Sequence, residues 1–190
     1  MDFIDDIGGM AANARDAIKA YIASKEAPEV QAADRHPTKT LYGKDAINRV
    51  IKDEGDVDDV QKYVIVHEGF VDGAYQDTKD ITTSGVGQTG KYRDMTFKQT
   101  YDIHFQDAKR MIPKLEQMSK ERQKAIMSLA YRGDLVKSPT FRGLVNDGKF
   151  EEASVELLNH EEYKGYKKND PDNGIIHRLE EASKFIKGET

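Results

Sequence analysis

The sequence predicts an α+β protein, mostly helical, with one small β element near residues 73–90. Two observations carry this. From Thr96 onward apolar residues recur at helical spacing, with Phe97, Tyr101, Phe105, Ala108, Met111 and Ile112 on one face. Only "GAYQD" and "ITTSGVG", residues 73–77 and 81–87, alternate as strands do, with Thr78-Lys79-Asp80 as the turn between them.

In order, residues 1–24 read as one helix. Phe3, Ile7, Met10, Ala14, Ala17 and Tyr21 form a heptad-like apolar seam. Residues 25–39 hold two prolines and no periodicity, so they read as a linker. A short helix is expected over 43–54, and another from about Val57 to His67, ending at Glu68-Gly69. After the hairpin comes the Thr96 helix, which Pro113 should kink or end. Ser119 is placed to cap the next helix. "SPTFRGLVNDG" has Pro139 at its start and Gly148 past its end. "KFEEASVELLNH" and "GIIHRLEEASKFI" complete the helices.

Composition narrows the function. The chain of 190 residues suits one ordinary domain with an appendage, and 33% charged residues imply a heavily solvated surface. A net charge of −5 argues against nucleic acid as the main partner. No run approaches a membrane span, and the N-terminus shows no secretory signal pattern. Without cysteine there is no disulfide, thiolate–zinc or thiol-nucleophile chemistry. "DEGDVDD" at 53–59 lacks the glycine and the terminal glutamate of a calcium loop and reads as helix-capping acids. The histidines lack metal-ligand spacing, and "SGVGQTG" lacks the lysine of a phosphate loop. No metal or cofactor is implied.

An acidic pair remains. Glu68 closes a helix, Asp77 lies nine residues on at the end of a strand, and Thr83 six further. Two carboxyl groups facing each other across a cleft can divide glycoside hydrolysis between them, one donating a proton and the other holding water. The apolar "YVIV" before Glu68 predicts a carboxyl withdrawn from water, whereas Gln76, Thr78 and Thr83 offer Asp77 polar company. Thr83 can both donate to and accept from a water.

"HEGFVDGAYQDTKDITTSGVGQT" resembles the signature of the phage T4-type lysozyme family, glycoside hydrolase family 24. The match comprises Glu68-Gly69, Tyr75-Gln76-Asp77-Thr78, Thr83 and Gly85-Val86-Gly87, at the family's gaps. Weaker likeness continues through "AIMSLAYRGD", "FRGLVNDGKFEEASVELLNHEEY" and "GIIHRLEEASKFI". Residues 57–190 are covered, and residues 1–56 stand outside as an N-terminal helical extension and linker.

The resemblance implies a two-lobed lysozyme-like fold, a small β-hairpin lobe facing a helical lobe, and a peptidoglycan hydrolase. Glu68 would be the proton donor, with Asp77 and Thr83 positioning water. Tyr75, Gly87, Tyr131 and Arg132 would contact substrate, and His177 or Arg178 would pair with Glu68. The bond implied is the β-1,4 linkage from N-acetylmuramic acid to N-acetylglucosamine, cleaved with inversion. A lytic transglycosylase, or a catalytically silent virion component, is the alternative. The protein would reside in the virion or host cytoplasm and act on the wall in the host periplasm. Glu54-Gly55 is a decoy, because nine residues on stands Tyr63.

Three departures are visible. Asp80 stands where the hairpin turn usually has a small residue, Gln88 where the family often has His, and "YRGD" is one residue tighter than its counterpart. Residues 57–190 carry 21 basic and 23 acidic residues, so long-range attraction to an anionic wall would be weak. The 1–24 stripe needs a cover. Either the lysozyme lobes and the 43–54 helix supply it, or another chain does, a second copy or a virion protein. The second is favoured, with 25–39 as tether.

Overall fold

The computed structural model describes residues 40–76, 81–170 and 173–189. The expected 1–24 helix, the 25–39 linker, the hairpin turn and Asp77 itself lie outside them. The described residues belong to one compact unit spanning 34–190.

Four short strands form one antiparallel sheet in the order β1 (Thr40–Leu41), β2 (Phe70–Gln76), β3 (Thr82–Gly85) and β4 (Gln88–Thr89). Two expected strands are present, and β1 and β4 are additions too short to show alternation. β2 and β3 pair Tyr75 with Thr83 and Gln76 with Thr82. Between Val71 and Ala74 the register shifts at a bulge that contains Gly73, φ +78°.

Among the described residues there are nine α-helices. α1 (Gly43–Glu54) buries Ala46 and Val50, and its Arg49 reaches Asp72 of β2 at 2.7 Å while lying over the Phe70 ring. Residues 40–54 are therefore packed into the same compact unit as the rest of the described residues. α2 (Asp59–Glu68) opens on a capping box between Asp58 and Gln61 and closes at Gly69. α3 (Phe97–Met111) ends before Pro113 and touches both α1 and α4, bridging the sheet region and the helical remainder.

Two acids of "DEGDVDD" act as helix caps, Asp58 at the start of α2 and Glu54 at the start of α3. Glu54 accepts from the N–H groups of Phe97 and Lys98 at 2.8 and 2.9 Å, satisfying the open start of α3. The decoy glutamate thus has a structural task.

α4 (Lys120–Arg132) starts at the Ser119 cap and is the central helix, with Ala125, Ile126, Met127, Leu129, Ala130 and Tyr131 buried. α2, α3 and α9 (Gly174–Lys187) surround it. α5 (Asp134–Lys137), α6 (Pro139–Asn146), α7 (Phe150–Leu158) and α8 (Glu161–Asn169) complete the set. α8 has no sequence counterpart in the expectations: a charged segment with Gly165 at its middle shows no apolar period.

Candidate active site

Glu68 ends α2 because Gly69 follows it. Gly69 has φ +71°, and a Cβ there would stand 3.1 Å from the Leu41 carbonyl and 3.2 Å from the Tyr42 ring. The chain turns sharply into β2 at this point, leaving the Glu68 side chain at the junction of helix and sheet.

From the far end of the chain, α9 delivers Arg178. Its Nη2 donates to Glu68 Oε1 at 2.5 Å, its Nε donates to Ser128 Oγ at 2.7 Å, and Nη2 also meets the Ser128 carbonyl at 3.3 Å. Arg178 is buried, so this fork is oriented by α4 before it meets the carboxylate. His177, the other candidate, faces solvent one residue away.

Glu68 Oε2 has no hydrogen-bond partner among the described residues. It lies 3.4 Å from where a Cβ on Gly87 would stand, and Gly87 has φ +70°. The positive φ calls for glycine, whereas the 3.4 Å approach is an ordinary van der Waals contact. Next to it, Val86 is buried and its carbonyl accepts from the Tyr131 hydroxyl at 2.8 Å. Tyr131 is itself buried, so this hydroxyl is spent on the backbone of the β3–β4 turn. Burial, with the nearby Glu68 and Glu54 charges, raises its pKa well above the ordinary value.

The Glu68 side chain is 19% exposed, so it is largely withdrawn from water, but its surroundings are mixed and not purely apolar. A helix turns about 100° per residue, so the four residues of "YVIV", 63–66, point in different directions. Val64 and Ile65 are buried, Val66 is exposed, and Tyr63 joins a polar network. In that network Tyr63 donates to Glu181 Oε2 at 2.8 Å, and His67 Nε2 meets the same oxygen at 3.1 Å. Burial and the Arg178 charge hold His67 below its ordinary pKa, against the pull of Glu181 and Glu68.

Thr83 is buried, opposite Tyr75 on β2 and Thr89 on β4. Its hydroxyl donates to the Ile81 carbonyl at 3.2 Å. Arg132 pairs with Asp134 at 2.9 Å. Gln88 fills the buried place where a histidine was expected. Its Nε2 donates to the Met95 carbonyl at 3.3 Å, and a Cβ on Gly85 would collide with its Oε1. The structure thus joins Glu68, Gly87, Tyr131 and Arg178, and pairs Tyr75 with Thr83. Ser128, His67 and Glu181 were missed by the sequence reading. A lone polar residue in the otherwise apolar "AIMSLAY" was the available signal for Ser128.

Among the described residues no cluster of three or more metal-ligating side chains occurs, and no helix is long and apolar enough to cross a membrane.

A mostly helical body with a small antiparallel sheet, and a glutamate at their junction held by a distant arginine, is of the lysozyme-like α+β class. The phage lysozyme family model matches residues 66–181, more than half of the chain, and the protein belongs to that family. It is accordingly a lysozyme-type peptidoglycan hydrolase by family, with peptidoglycan as the substrate class. No curated protein matches the chain.

Proposed function

We propose that this protein is a muramidase that cleaves the β-1,4 bond between N-acetylmuramic acid and N-acetylglucosamine by a single displacement with inversion. Glu68 is the general acid and gives its proton to the glycosidic oxygen as that bond to the anomeric carbon breaks. Asp77 and Thr83 hold a water on the opposite face, and Asp77 takes a proton from it as its oxygen bonds to the anomeric carbon. Inversion leaves room for this water, with the two carboxyl groups about 6.5–9.5 Å apart.

The observation that carries the reading is the unequal treatment of the two Glu68 oxygens. Oε1 is fixed by Arg178, while Oε2 faces Gly87 without a protein partner among the described residues. Oε2 is the oxygen that can reach a substrate. As the proton leaves, the carboxylate forms beside a guanidinium already oriented by Ser128, so the charge that develops is stabilised without reorganisation. Thr83 supports the other half. Its hydrogen is engaged by Ile81, so it meets a water through its lone pairs. The biological setting that fits is phage wall penetration or host lysis, acting at the wall.

The test is product chemistry on purified peptidoglycan. The reading expects a new N-acetylmuramic acid reducing end formed first as the α anomer. A 1,6-anhydro product would instead identify a transglycosylase, and no cleavage at all a silent fold.

A further inference from the structure

A row of rings adjoins the site. Tyr92 closes the 3-10 turn Gly90–Tyr92, and its ring centroid lies 5.3 Å from that of His104 on α3. His104 in turn lies 4.9 Å from Tyr131. Tyr131 anchors the inner end through the Val86 carbonyl, next to the Gly87 that borders Glu68 Oε2. The row therefore begins at the candidate acid and runs outward.

Its inner and outer members differ. Tyr131 is buried with its hydroxyl bonded, whereas Tyr92 and His104 are half-buried. Neither the Tyr92 hydroxyl nor either His104 nitrogen has a hydrogen-bond partner among the described residues, and none of these atoms is sealed from solvent. Open to solvent, these atoms can hydrogen-bond to water or to a ligand that displaces it. Burial and the charge of Lys91 hold His104 below its ordinary pKa, with Glu68 opposing. The neutral imidazole offers one donor and one acceptor. Lys91 Nζ lies 4.9 Å from the Tyr92 centroid and adds a cation–π contact at the outer end.

The geometry points to Tyr92 and His104 as a substrate-contacting pair. Tyr92 packs on the apolar face of an N-acetylated sugar ring adjoining the bond held at Glu68, and His104 hydrogen-bonds the hydroxyl or acetamido groups of that ring. An aromatic face with a few open polar atoms is the usual composition of such a subsite. This rests on the reading of Glu68 as the general acid.

The test uses the full chain. Tyr92→Ala and His104→Gln are assayed on soluble peptidoglycan fragments, and the same changes are made in a Glu68→Gln background for equilibrium binding. Each is expected to raise KM and weaken fragment binding about tenfold, the equivalent of one good contact, with a smaller change in kcat. Unchanged KM and unchanged binding in folded variants would overturn the pair. If a variant does not fold, the His104 imidazole resonances of folded Glu68→Gln are followed during titration with fragments. A shift at saturation supports the contact, and silence overturns it. Full activity of Glu68→Gln would instead refute the reading on which the pair rests.

Discussion

Glu68 and Arg178 are 110 residues apart in sequence, and 2.5 Å separates Oε1 from Nη2. This ion pair joins α2 to α9 and is backed by Ser128 from α4, so one contact couples three helices of the core to the candidate acid. Arg178→Met should cost about 3 kcal/mol of stability, the lower end for breaking a largely buried pair, and lower kcat at least tenfold. Arg178→Lys should not restore activity, because an ammonium cannot span Ser128 and Glu68 as a fork. Chemical denaturation and turnover on permeabilised Gram-negative cells measure both.

Gly87→Ala tests the space in front of Oε2. The positive φ costs about 1–2 kcal/mol for a residue with a Cβ, and the methyl would stand 3.4 Å from the carboxylate oxygen. Activity should fall about 10–100-fold because the methyl occupies the space through which a substrate oxygen would approach Oε2. A loss of about 1–2 kcal/mol of stability in a protein that is still folded, beside a large loss of kcat, is the expected pattern.

Residues 40–54 divide the N-terminal region experimentally. Deleting 1–33, up to the start of the compact unit, should leave cleavage of soluble fragments nearly unchanged. Deleting 1–54 removes the fully buried Ala46 and Val50 and the Glu54 cap of α3. It should destabilise the enzyme by about 4 kcal/mol from lost burial and capping. Melting temperature and activity of the two truncations decide this. Loss of activity in the shorter deletion would place the 1–33 segment in the catalytic body.

His67 and His104 both have folded pKa values held below the ordinary 6.5. In the window beneath that value the unfolded chain binds more protons than the folded one, so stability rises with pH through the window. The contribution is present above about pH 6.5 and is lost as pH falls through the depressed folded values. The double variant His67→Gln, His104→Gln should show a flatter decline in melting temperature below pH 6.5 than the wild type does.

Much of this was legible in the sequence. The helix end at Glu68-Gly69 and the pairing of Tyr75 with Thr83 are local, and local geometry is written in turn residues and spacing. The partner of Glu68 is a long-range contact, and adjacent His177 and Arg178 left it open. The helical period settles it only in hindsight. Arg178 is in line with Ala182 and Ile186 on the buried side of α9, while His177 faces outward. β1 was invisible because two residues cannot display alternation, and α8 because its charged sequence buries too little to show a stripe. The polar surroundings of His67 depend on Glu181, which no spacing near residue 67 announces.

The most direct measurement is turnover by Glu68→Gln alongside its melting curve and its affinity for soluble peptidoglycan fragments. An amide keeps the shape of the side chain but has no proton to give. The account predicts a folded protein that still binds fragments, with kcat reduced by at least about 10²–10⁴-fold. A folded Glu68→Gln enzyme that retains substantial turnover would contradict it.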